Sequence, residues 1–473
     1  MTNPRPLPNR NADRPDPGPP PGRIAGIGRL AFIPACICLL LAVPSPSAAA
    51  GNPLQETARF TPGVTETLLE ADFWIRRTAE PDRVLMAPSE IGRFNRGLAS
   101  GFPFMTDVEH HPELSGAQVK ALIASYRLPR ETRYDSSGRP ADGGFYDGLG
   151  REKNLDAVPE TVAPLWGVTV RRTAVRSFPT AEPSRTAPDP QGSDLFQETE
   201  ADLWTPLVIL HRSRSGRWAF VRTYHYHGWV PLADIAPVRE KASLFSLLDQ
   251  PDFLVATGSW GESQLTGAEG TKLRFMMGTK LPLVARDRIP REHFGHNPQG
   301  NYVVWVPGRD GQGFFTPVMA YVSAQADVHR GWLPYTRRNL LRQAFKMLGE
   351  RYSWGGSFEG RDCSRLIVDV FRTVGILLPR NASQQARVGL DRFAGDTGLA
   401  RLEPGAGLYM PGHAMLFLGN HEGRSYAIHS VAGFRNLPGG EVHSVRGVVV
   451  SDLSVLPDGA GSLTAAREFL PAP

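Results

Sequence analysis

Cysteine is scarce in this chain, with three in 473 residues. Two of them, Cys36 and Cys38, fall in the apolar run from Leu30 to Val43, which follows Arg23 and Arg29 and precedes Ala48-Ala49-Ala50. A basic stretch, a short hydrophobic core and a small-residue site form the order of a secretory signal peptide over 1–50. The run is too short for a membrane span, so the expected mature protein is periplasmic or secreted and has no stable membrane span. Cleavage after Ala50 leaves Cys363 alone, which excludes an intrachain disulfide framework and leaves reactivity as the reason to keep a thiol. Charge of one sign is also lacking. Lys and Arg number 52 against 47 Asp and Glu, interspersed and without a polybasic block, which argues against nucleic-acid binding. Metal-ligand spacing is missing as well: His225 and His227 flank Tyr226, with no third ligand nearby, and the adjacent His110 and His111 point apart. Neither a metal nor another cofactor is expected.

Glycine (49) and proline (42) are plentiful and imply many turns and short strands. About 420 residues follow the cleavage point, enough for three or four domains. Residues 51–160 show helical spacing at Leu68, Leu69, Phe73 and Trp74 and again over 117–126, which predicts an N-terminal segment of helices and loops. Over 161–240 the pattern becomes short apolar runs at 168–170, 206–210, 218–221 and 228–230, divided by Gly, Pro and Ser turns, as in a small antiparallel barrel. The order of apolar strand, Ser-Gly turn, Trp218-x-x-Val221 and Gly228-Trp229-Val230-Pro231 resembles bacterial SH3 domains. Residues 241–335 repeat the texture, and Gly331-Trp332-Leu333-Pro334 echoes the end of the first run, which predicts a second barrel of the same kind.

The remaining domain, 336–473, holds Cys363. Cys363, Leu366, Ile367, Val370, Phe371 and Val374 follow at i, i+3, i+4, i+7, i+8 and i+11, one continuous helical face, with Gly375 at the expected C-cap and Pro379 beyond it. A thiol in the first turn sits where free backbone N–H groups and the helix dipole favour thiolate. Its base should be a histidine on a facing strand. His413 opens the apolar run Met415–Leu418, and His429 ends the run that resumes at Ser425. A hairpin centred near His421 sets His413 opposite His429, one ring placed to polarise the other. A one-residue slip would send the two rings to opposite faces, so the arrangement rests on the register.

Tyr352-x-Trp354-Gly355-Gly356, Asp362-Cys363-Ser364, Leu378-Pro379-Arg380-Asn381-Ala382-Ser383, Gly412-His413 and a second strand carrying His429 together resemble the NlpC/P60 cysteine peptidases over about 340–455. The resemblance implies an α+β multidomain protein: a papain-like catalytic domain preceded by two SH3-like barrels and an N-terminal helical clip segment. It implies cleavage of the γ-D-glutamyl-diamino acid bond in peptidoglycan stem peptides, tri- or tetrapeptides, by a monomer, with Cys363, His413 and His429 as the catalytic set. Tyr352 would line the oxyanion side. Asp362, Ser364, Ser383 and Tyr226 would recognise the free amino end of L-Ala-γ-D-Glu. Arg365 stands where many relatives have glycine, and either reaches an acidic substrate group or covers the helix start. Two other readings compete: a wall-binding SH3 protein with an inactive catalytic domain, and an amidase or acyltransferase using the same triad.

Overall fold

The helix Cys363–Arg372 is buried from Ser364 to Phe371, and the fold is the set of elements that bury it. In the computed structural model the described residues are 61–265, 272–293, 295–392, 396–435, 442–455 and 462–471; the expected signal peptide lies outside them. No helix among the described residues is long and apolar enough to cross a membrane. Leu366, Ile367, Val370, Phe371 and Val374 have essentially no exposure and share a core with a six-stranded antiparallel sheet. Its order is 390–391, 465–468, 407–410, 413–421, 424–435, 442–452. At full burial each such side chain contributes about 1.5–3 kcal/mol. Gly375 adopts φ +85° beyond the helix, and a Cβ there would meet the Trp332 ring at 3.1 Å, so both backbone and space call for glycine.

The opposite face of this helix is charged, yet it too is buried. Arg361, just before the helix, together with Arg365, Asp369 and Arg372, faces two β units instead of solvent. The first is a seven-stranded antiparallel sheet containing 165–169, 206–212, 218–222 and 227–231, close to the runs expected from sequence, plus 173–176, 197–201 and 235–237. The second differs in build. It pairs a four-stranded sheet (260–265, 272–276, 301–309, 315–323) with a three-stranded one (253–256, 280–282, 328–330). Trp229 sits in a strand and is wholly buried, whereas Trp332 follows a strand and packs on Phe253 and Gly375, so the two tryptophans are not structural equivalents.

Residues 61–160 have no core to themselves. Leu68, Phe73, Trp74, Ile75 and Leu98 join the core of the nucleophile helix, while Val119, Ile123 and Val158 join that of the β units. The helical spacing at Leu68–Trp74 resolves into a 3-10 turn, Glu66–Leu69, and a helix, Ala71–Arg77, separated by Glu70 in extended conformation.

Arg365 takes neither role expected for it. Its guanidinium, on a residue 2% exposed, bonds Asp369 at 2.7 Å, the Glu200 carbonyl at 3.1 Å and the Asp202 carboxylate. Asp202 also pairs with Arg372 and lies near Arg172. Burial alone would raise the Asp202 carboxyl, but Arg365, Arg372 and Arg172 outweigh it and hold the group ionised, well below the usual range. Removing one partner from such an array leaves buried charge uncompensated. Asp202→Ala should therefore destabilise the protein by about 3–5 kcal/mol, read as a lower urea midpoint; a loss under ~1 kcal/mol would mean that water already reaches the array.

Candidate active site

The Tyr352–Ser364 stretch is shaped by glycine and by one N-cap. Gly355 and Gly356 have φ of +59° and +82°, and a Cβ on either would fall within 3 Å of Gln197 or Glu200 in the first β unit. Only glycine lets this loop turn and lie against that unit. Asp362 then caps the nucleophile helix, accepting from the backbone N–H of Arg365 at 3.0 Å and of Gly355 at 3.1 Å. Cys363 is the first helical residue and is partly exposed at the floor of a cleft of about 690 Å³. All three expected catalytic residues and all five expected substrate contacts line this one cleft.

His413 is delivered by a two-residue Pro411-Gly412 turn joining Met410 to its strand partner, with φ +76° at Gly412. Its Nε2 lies 2.7 Å from Nδ1 of His429, whose own Nε2 is 2.9 Å from Ser451 Oγ. The register that achieves this is not the expected one. Near the tip, His421 pairs with Arg424 and Gly419 with Tyr426; beyond a bulge between Phe417 and Gly419, Phe417 pairs with Ala427 and Leu416 with Ile428. Continued unbroken, the tip register would place the two histidines on opposite faces. The extra residue at the bulge restores the parity, and the rings meet diagonally instead of directly opposed.

The thiol environment also departs from the sequence expectation. Burial, and then the Asp362 carboxylate beside it, push the Cys363 thiol up to about 12, against the pull of the Ala414 and Ser364 N–H groups and Arg380. Burial pushes His413 down to about 4, and burial with His413 as neighbour holds His429 well below its ordinary value. These shifts favour a neutral thiol beside neutral imidazoles. Tyr352 keeps its phenol proton, because burial and the adjacent Asp362 and Cys363 raise it. It can donate a hydrogen bond into the cleft.

Two residues that sequence reasoning missed complete the walls. Arg380, 2% exposed, binds the Asp362 carboxylate and the Ser364 hydroxyl, so the Asp362 charge is already matched inside the protein. Glu198, from the strand Gln197–Ala201, accepts the Tyr226 hydroxyl at 2.6 Å and brings a carboxylate to one end of the cleft; burial raises its carboxyl. Ser383 is exposed on the rim, in the short helix Ala382–Gln385. His225 binds the Leu378 carbonyl at 3.2 Å and His227 lies against Tyr126, and no cluster of three or more metal-ligating side chains occurs among the described residues. Arg380 stood in the motif that carries Ser383. Glu198 had no comparable signal, because its strand is polar in four of its five residues.

Residues 349–430 match the NlpC/P60 family model, and residues 190–231 the model of an SH3 domain of the SH3b1 type. The chain thus carries one domain of each kind. The NlpC/P60 endopeptidase of Photobacterium damselae subsp. piscicida shares the fold, with a TM-score of 0.64 at 19% identity over 84% of this chain and 92% of that one. An NlpC/P60 family protein of Bacillus cereus ATCC 10987 gives 0.44 at 19% identity over 58% and 83%. No match was found among curated proteins.

A neutral resting thiol has a direct signature. Iodoacetamide alkylation of Cys363 in the free protein should still accelerate between pH 9 and 10, where an ordinary thiol with a pKa of about 8.5 is already levelling off. A rate that plateaus below pH 8 would show that a thiolate–imidazolium pair forms without substrate.

Proposed function

We propose that the protein is a cysteine peptidase that opens the γ-D-glutamyl-diamino acid bond of peptidoglycan stem peptides carrying a free N-terminal L-Ala. The observation that carries the reading is the His413–His429 pair, its ring nitrogens 2.7 Å apart, lining one cleft together with Cys363, Glu198 and Tyr226.

With Nε2 of His413 engaged by His429, Nδ1 is left to take the thiol proton. As Sγ bonds to the scissile carbonyl carbon, that proton passes to His413 and negative charge develops on the carbonyl oxygen. In this reading the Tyr352 hydroxyl and the start of the helix that carries Cys363 stabilise it. His413 then protonates the leaving amine as the C–N bond breaks, giving a thioester. Water attacks the thioester with His413 as base, which frees the peptide acid and restores the thiol.

The amino end of the substrate belongs to Glu198 in this reading, in place of Asp362. Both oxygens of Asp362 are held by Arg380 and two backbone N–H groups, whereas Glu198 has the Tyr226 hydroxyl as its short partner on the cleft wall. A substrate ammonium beside Glu198 supplies the cation, and Tyr226 blocks the space past it. Ser364 and Ser383 contribute hydroxyls along the same wall.

Mass spectrometry of stem peptides incubated with the protein tests the reaction itself: a cut between D-Glu and the diamino acid is expected, and Cys363→Ala should lower turnover by more than about 10⁴-fold. A cut elsewhere in the peptide, or turnover that survives in Cys363→Ala, would overturn the assignment. N-acetylation of L-Ala should lower kcat/KM about tenfold to a hundredfold, since an unpaired charge in a partly buried site costs about 1–3 kcal/mol. Glu198→Gln should erase most of that discrimination; equal kcat/KM for free and capped peptides in the wild type would leave the cleft open at that end.

A further inference from the structure

Ser451 lies outside the segment matched by the family model and lines no part of the cleft, yet it terminates the hydrogen-bonded line behind the nucleophile. It sits on the strand Val442–Asp452, paired with Ala427, and is 2% exposed. We infer that Ser451 is a positioning residue that supplies the acceptor the Nε2–H tautomer of His429 requires and, through it, leaves Nδ1 of His413 free to act as base.

The inference rests on the cysteine-peptidase reading, and its logic is a proton count. For Nδ1 of His413 to accept the thiol proton, Nε2 of His413 must carry hydrogen and donate it to His429. His429 must then present a bare Nδ1, so its hydrogen sits on Nε2, 2.9 Å from Ser451 Oγ. The hydroxyl accepts it, and the buried N–H is satisfied. The reverse arrangement, with hydrogen on Nδ1 of His429, forces hydrogen onto Nδ1 of His413 and points a donor at the thiol. That ring cannot act as a base. It would also oppose one N–H with another once His413 is protonated. Without the hydroxyl, the productive tautomer leaves a buried N–H with no acceptor, the less tolerated of the two unpaired states. The enzyme then drifts to the idle form.

The test combines kinetics with nitrogen chemical shifts. Ser451→Ala should lower kcat about tenfold or more at unchanged KM, and Ser451→Thr, which restores the hydroxyl, should recover most of the rate. In ¹⁵N spectra of the wild-type protein, His429 should carry hydrogen on Nε2, and in Ser451→Ala the signal should move toward the Nδ1–H form. Hydrogen on Nδ1 of His429 in the wild type, or full kcat in a folded Ser451→Ala, overturns the inference, and the wild-type spectrum decides even if the variant does not fold. Survival of turnover in Cys363→Ala is a separate outcome that removes the peptidase reading beneath it.

Discussion

A buried charge array fixes how the NlpC/P60 and β units meet. Arg361, Arg365 and Arg372 lie along one face of the nucleophile segment; Asp369 from the same helix and Asp202 from the first β unit answer them, and Glu350 completes the pairing of Arg361. Burying ions is costly unless each finds an opposite charge and hydrogen bonds at good geometry. The array therefore tolerates one placement of the β unit on the helix. The loop at Gly355 and Gly356, pressed against Gln197 and Glu200, follows from that placement. So does the cleft, because the wall bearing Glu198 and Tyr226 belongs to the unit that Asp202 holds.

Charge is arranged differently a few residues away. Around the nucleophile, full charges are either paired internally, as with Asp362 and Arg380, or absent, as in the neutral thiol and imidazoles. In a site of low polarity, separating charge is unfavourable, so in the proposed reaction proton transfer would accompany bond formation. Glu198 on the wall is hydrogen-bonded by Tyr226, and burial raises its carboxyl. The hydrogen-bonded line from His413 through His429 to Ser451 crosses three strands, each supplying one polar group.

Much of the site was legible before the fold. The apolar positions from Leu366 to Val374 announce a helix with Cys363 at its start, Gly375 and Pro379 mark its end, and Gly412 announces the turn that delivers His413. Four strands of the first β unit follow from their apolar runs. The polar strand Gln197–Ala201 left no such trace, since its inward residues, Gln197, Thr199 and Ala201, are not hydrophobic as a set. Its Glu198 stayed invisible with it. The second β unit shares the texture of the first but not its strand order, because short alternating runs are compatible with several ways of pairing.

What the sequence determined alone is what periodicity and local chemistry encode: which residues share a helix face, where glycine is obligatory, and which types can serve as nucleophile and base. The tertiary structure decided the rest. A bulge near Leu418 set which faces the histidines occupy, since one added residue reverses every side chain beyond it. Burial decided the protonation of Cys363 against the pull of its own helix. Arg365 reads in sequence as a residue that either reaches an acidic substrate group or covers the helix start, and its partner Asp202 lies 163 positions away. No local pattern carries that distance; only the packing of one unit on another brings the two charges together.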